Sequence, residues 1–224
     1  MSALCRDPRE TATMRKLTDR RIFYAAVVAA CLSVALCLQG CGTVPGVRYY
    51  TLNGSDSLEA ASSSADSLVL RVERFAVAEP YADRRIVYRE KRREVGFWDF
   101  HMWAESPDRM ITAKVADLLT ETGTFKKVDS FPYVWDKADF VLKGAVLAFE
   151  EVDKEDGWYG RVKIVMELTD ASSGKTLWSD VLERDKKAAS KTPSAVVEAL
   201  SLALDEVVGS AGSEIKAAVG RSVG

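Results

Sequence analysis

Residues 20–41 constrain the rest of the chain most. Arg20-Arg21 precedes an uncharged run, Ile22 to Leu38, made mostly of Ala, Val, Leu and Cys, which closes on Leu38-Gln39-Gly40-Cys41. A basic segment, an apolar stretch and a small residue before a cysteine form the pattern of a bacterial lipoprotein signal. Cleavage before Cys41 would make that residue the N-terminus, its thiol carrying a diacylglyceryl group. Of the four cysteines, Cys5, Cys31 and Cys37 would leave with residues 1–40 and Cys41 would be consumed by lipid. The mature chain can then form no disulfide, even in an oxidising compartment. Its roughly 184 residues must be held by an ordinary apolar core, and they suffice for one domain.

Two other readings of the leader compete. The 17 residues from Ile22 to Leu38 sit at the short edge of a membrane span, which would make the segment a retained anchor, but the chain turns polar and glycine-rich after Cys41. Val28-Ala29-Ala30-Cys31 also resembles a cleavage box; using it would strand a second apolar run on the mature chain. Met14, followed by Arg15-Lys16, is the more natural start of a signal, so residues 1–13 read as a mis-assigned start. The whole chain carries 31 Lys and Arg against 33 Asp and Glu; without the leader the count is 25 against 30, a net charge near −5. That balance points away from nucleic acid and from general attachment to anionic lipid. Membrane affinity would come instead from palmitate-type acyl chains, at about 0.8 kcal/mol per buried methylene.

Residues 41–67 read as a lipidated N-terminus, a short strand (Val47 to Leu52) and a Ser-rich loop or tether (Asn53 to Ser67). Residues 68–217 read as the folded domain. Leu68 to Val77 alternates as a strand, and Arg85–Arg89 with Glu94–Phe100 flank the charged tip Glu90-Lys91-Arg92-Arg93 as a hairpin. Ser106-Pro107-Asp108 predicts a helix start with Ser as cap; Ile111, Val115, Leu118 and Leu119 form the stripe and Gly123 the stop. Phe125 to Val128 follows as a short strand, then an aromatic loop, Phe131 to Trp135. Phe140 to Phe149 is mostly apolar on both alternating sets, which predicts a central strand at least partly buried on both sides. Turns at Asp156-Gly157 and Ser172 to Lys175 make a three-stranded meander with Trp158–Thr169 and Thr176–Arg184. A closing helix starts at Thr192-Pro193; Gly209 and Gly212 weaken it, and residues 218–224 are expected to fray. The order predicts a single α+β domain, a largely antiparallel sheet with two main helices packed on one face.

Catalytic patterns are missing. His101 is the only histidine, no Gly-x-Ser-x-Gly elbow or phosphate-cradling glycine loop occurs, and the carboxylates follow no motif. No cofactor or metal is expected, and the chain reads as a binding or assembly module rather than an enzyme. Two surfaces are candidate partner sites. One is basic, with Arg85, Arg89, Arg92 and Arg93; its alternative is a solvated hairpin whose charge Asp83, Glu90 and Glu94 offset. The other is aromatic: Trp98, Phe100, His101 and Trp103, part of which a strand would feed into the core and part of which could anchor a partner.

Several segments resemble the auxiliary lipoprotein family of ABC-type transporters, of which PqiC is the best-known type. They are Gly40-Cys41-Gly42 followed by Tyr49-Tyr50-Thr51-Leu52, the strand Leu68 to Val72, and Tyr81 to Arg89 with its Ile86-Val87-Tyr88-Arg89 stretch. The region from Trp103 through Gly123-Thr124-Phe125 to Val128, then Ala138 to Leu142 and the final helix, continue the order. The resemblance implies lipidation of Cys41, anchoring in the outer membrane on the periplasmic side, and work with an MCE-domain protein, a permease and an ATPase in moving lipids or other apolar molecules between the membranes. Gly42 after the acylated cysteine is compatible with outer-membrane sorting. Glu90 to Arg93 and Trp98 to His101 depart from the family's shorter stretch, so no partner contact transfers there. The competing function is a structural or regulatory envelope lipoprotein, such as a peptidoglycan synthase activator or a secretion-complex component. A homo-oligomer is compatible with either.

Overall fold

The computed structural model describes residues 45–52, 68–91, 93–130 and 137–223. The leader with Cys41, the Ser-rich stretch 53–67, Arg92 and the aromatic loop Phe131 to Trp135 lie outside the described residues.

Among the described residues nine strands join in one sheet, in chain order β1 (Arg48–Tyr50), β2 (Val69–Val72), β3 (Ala76–Val77), β4 (Arg85–Lys91), β5 (Glu94–Trp103), β6 (Lys127–Ser130), β7 (Phe140–Lys154), β8 (Gly157–Asp170) and β9 (Thr176–Lys187). Helix α1 (Pro107–Glu121) lies between β5 and β6, and α2 (Pro193–Val223) ends the chain. The long strand β7 is the spine, but it is buried on both sides only from Ala148 to Val152; before that one face is open, with Lys143 and Leu147 exposed. Along one edge it pairs antiparallel with β8, and β8 with β9, giving the expected meander. Along its other edge β2, β3 and β4 pair with it in succession, all parallel. β1 also runs parallel to β5, and β6 to β2. The long pairs are antiparallel, so the sheet is mostly so, but its far half is mixed.

Both turns of the meander have local causes. Gly157 and Gly174 hold φ of 146° and 69°, conformations that a Cβ opposes. Asp170 accepts hydrogen bonds from the backbone N–H groups of Ser172 and Ser173, closing the second turn.

Helices α1 and α2 pack on one face. α2 lies across β8 and β9, where Val162, Ile164, Met166 and Leu168 are fully buried beneath Val196, Leu200, Leu204 and Val207. Gly160 marks the closest approach: a Cβ there would come within 2.6 Å of the Leu200 backbone nitrogen. α1 starts at Pro107, as predicted, but the side chain of Ser106 makes no capping bond; the Ser106 carbonyl accepts from Arg109 and Met110 instead. Gly123, at φ 61°, ends it. β6 falls two residues later than predicted, with Phe125 turned into the core.

Residues 218–223, expected to fray, form the last turns of α2. α2 continues through Gly209 and Gly212 to Val223, with Ala218 and Val219 buried. Gly212 lies where α2 passes the end of α1, 3.1 Å from the methyl group of Thr122 for an added Cβ. Packing outweighs the glycine cost of about 1 kcal/mol.

A bulge at Leu147, between the pairs Val146–Ile164 and Ala148–Lys163, shifts the alternation of β7 by one. Before it, even-numbered side chains face the helices; after it, odd-numbered ones do. Two adjacent acids are therefore buried on opposite faces: Glu150 beside Arg161 on the open face, and Glu151 opposite Gly160 on the helix face.

Candidate functional site

The basic hairpin is largely neutralised from within. Arg89 donates to both carboxylate oxygens of buried Glu150 at 2.9 Å and to the Tyr81 hydroxyl, which itself donates to Glu150 at 2.8 Å. Its guanidinium is held above its ordinary pKa by Glu150, and burial pushes the Tyr81 phenol up, with Glu150 adding to it. Arg85 pairs with Asp83 at 2.8 Å, approaches Asp99 at 3.9 Å, and lies 4.3 Å over the ring of Phe97. Lys91 pairs with Glu94 at 2.9 Å. Arg93 stands exposed at the tip. The arrangement matches the solvated-hairpin alternative: Arg85 and Arg89 are structural cations, not an open basic patch.

Trp103 is corrected. It is 2% exposed, its ring packs 5.1 Å from that of Phe149, and its carbonyl accepts from Arg84. A side chain so enclosed cannot anchor a partner; it anchors β5 to the core.

Trp98, Phe100 and His101 do come together. Phe97 faces Val87 and Met102 faces Arg85, so β5 spends five steps where β4 spends two. The surplus takes Trp98 to His101 out of register with β4, while His101 pairs with Arg48 of β1. Trp98 swings toward the helix face of β7 and donates its indole N–H to Glu151 at 3.0 Å. Its ring meets Tyr88, His101 and Trp158 edge-on, at 5.7, 5.6 and 5.6 Å. His101 stacks on Tyr50 of β1, with Tyr50 Oη 2.8 Å from Nδ1. Phe100 is 36% exposed. Gly96 makes room for this packing, since the Tyr88 ring covers the place a Cβ would occupy.

Beside these rings runs an open groove of about 370 Å³, with walls of Tyr88, Trp98, Phe100 and Trp158 and with Glu90, Glu151 and Asp153 turned into it. Glu151 is 3% exposed. Burial pushes its carboxyl up to about 7; the Trp98 hydrogen bond and the charge of Lys191 partly offset this, and Asp153 and Glu90 add to it. Burial, with Arg48 nearby, lowers the His101 pKa. Glu151, Trp158, Tyr88 and Tyr50 were not singled out from sequence. Only Glu151 had a sequence signal, the pair Glu150-Glu151 directly after the mostly apolar run Phe140 to Phe149.

Among the described residues no group of three His, Cys, Asp or Glu side chains is gathered to hold a metal ion, and no helix is long and apolar enough to cross a membrane.

The model of the ABC-type transport auxiliary lipoprotein component matches residues 50–210. The chain belongs to this family. Its place there makes it an accessory lipoprotein of ABC-type transport, as the resemblance of Tyr49 to Leu52 and Tyr81 to Arg89 implied. The fold has solved counterparts. A Xanthomonas campestris protein is 17% identical, with a TM-score of 0.66 over 80% of this chain and 99% of its own. An uncharacterized protein is 16% identical, with a TM-score of 0.62 over 76% of this chain and 99% of its own. At such identities the likeness shows the fold alone. No curated protein matches the chain.

Proposed function

We propose that this family member is a non-catalytic accessory of an MCE-type ABC transport system, anchored in the outer membrane through acylated Cys41 and facing the periplasm. Its partner in this reading is the MCE-domain protein that carries lipids or other apolar molecules between the membranes, working with its permease and ATPase. The lipoprotein receives or seals the end of that conduit and so supports envelope integrity. The family match over residues 50–210 carries the reading. The lipoprotein signal ending at Cys41 supports an anchored position, and two or more acyl chains make such anchoring stable.

Docking in this reading uses the β5 bulge, where Phe100 stands at the surface beside the half-buried Trp98 and His101. Exposed aromatic side chains next to a rigid aromatic cluster are the usual anchors of an interface. The test is photo-crosslinking in cells from positions 100 and 93, followed by identification of the captured protein. Capture of an MCE-domain protein is expected. Capture of a peptidoglycan synthase or a secretion component, with no MCE-domain protein recovered, overturns the proposal.

A further inference from the structure

We propose that the aromatic groove beside the β5 bulge is a binding site for a positively charged side chain, a lysine ammonium or an arginine guanidinium, carried by a protein partner. This deepens the docking reading above by naming the chemistry of the contact.

Three observations support it. The walls, Tyr88, Trp98 and Trp158, are the side chains whose ring faces attract cations. Glu151 is buried in the groove; among the described residues it accepts only the Trp98 indole N–H and has no cation at ion-pair distance, Lys191 acting on it only from the rim. A buried carboxylate without a positive partner is costly, and a cation delivered from outside relieves that cost. The raised pKa of Glu151 reflects the same burial, which the Trp98 hydrogen bond and the distant Lys191 ammonium offset only in part. The third observation comes from the chain itself. Lys191 places its ammonium 6.0 Å over the Trp158 ring and 3.7 Å from Asp153, so the rim already holds a cation by the combination the groove offers.

The groove discriminates between sources of a cation. Glu90, Asp99, Glu151 and Asp153 all line it, and among the described residues no Lys or Arg does. A zwitterionic lipid headgroup carries a phosphate a few bonds from its ammonium, and that phosphate would meet these carboxylates at close range. A basic side chain brings no attached anion. A groove of about 370 Å³ also has room for the alkyl stem of Lys or Arg along the rings.

The experiment titrates the ¹⁵N-labelled full chain in detergent at pH 8 with acetyl-Gly-Arg-Gly-amide, and in parallel with the same peptide carrying neutral citrulline. The readout is the indole N–H resonances, that of Trp98 assigned with Trp98→Phe. The arginine peptide is expected to move the Trp98 and Trp158 signals saturably and the citrulline peptide to leave them in place. Glu151→Gln, which keeps an oxygen for the Trp98 N–H, should weaken binding at least fivefold. Asp153→Asn should weaken it by less, and Glu183→Gln on the open face should not change it. Equal shifts with citrulline, or none with arginine, overturn the site. Phosphoethanolamine competing as well as the arginine peptide overturns the assignment to a protein partner. If arginine binding holds while crosslinking from position 100 recovers no MCE-domain protein, the site stands and the partner's identity falls.

Discussion

Glu151→Gln should stabilise the protein, and only above about pH 5. The carboxyl is 3% exposed and its pKa is pushed from the ordinary 4.5 up to about 7. Below pH 4.5 the group is protonated in both folded and unfolded chains, and its burial carries no ionic cost. Between 4.5 and about 7 the unfolded chain releases the proton and the folded one keeps it, so stability falls with rising pH. At about 1.4 kcal/mol for each pH unit, the wild-type protein loses about 3 kcal/mol across this window and nothing further above it. Gln cannot ionise, and it retains an acceptor for the Trp98 indole. The variant should therefore match the wild type near pH 4 and exceed it by about 3 kcal/mol at pH 8. Urea unfolding of the two purified proteins at pH 4, 5, 6, 7 and 8, followed by tryptophan fluorescence, measures the difference. A gap that stays constant with pH, or a variant less stable at pH 8, would refute the account of Glu151 as a buried acid whose charge is only partly compensated.

Trp103→Ala should cost about 3–5 kcal/mol of unfolding free energy, as large aromatic truncations in a core do, whereas Phe100→Ala should stay within about 0.5 kcal/mol; denaturant unfolding of both separates core from surface. Arg89→Ala should cost about 3–5 kcal/mol because it leaves Glu150 buried without its cation, while Arg93→Ala at the exposed tip should not measurably change the midpoint. Gly160→Ala should lower the thermal midpoint, since the added Cβ meets the α2 backbone at 2.6 Å and overpacking costs about 1–3 kcal/mol; an unchanged midpoint would contradict that close approach.

What the sequence made legible were features with local causes. The meander β7–β9 followed from apolar alternation and two glycine turns, and the helices from Pro107, Gly123 and Pro193. The parallel pairing of β2, β3 and β4 along β7 joins residues 63 to 70 positions apart, and no local pattern encodes such a match. The bulge at Leu147 was hidden for another reason. Both alternating sets of Phe140 to Phe149 are mostly apolar, so a one-residue shift within that run changes the composition of each face little. That shift sends Glu151 to the helix face, and with it the floor of the groove. Trp98 and His101 stood out as an aromatic segment, but Tyr88 and Trp158 reach the same cluster only through tertiary pairing. Trp103 shows the converse: its place in the same aromatic run gave no sign that the chain turns inward there. The length of α2 past Gly212 rests on contact with α1, which helix propensity does not contain.

The covalent state of Cys41 tests the account most directly, because anchoring at the envelope underlies every partner contact proposed here. Mass spectrometry of the protein from membrane fractions should find a mature N-terminus at Cys41 bearing a diacylglyceryl thioether and fatty acyl chains. An unmodified thiol at Cys41 on a chain that retains its leader would contradict it.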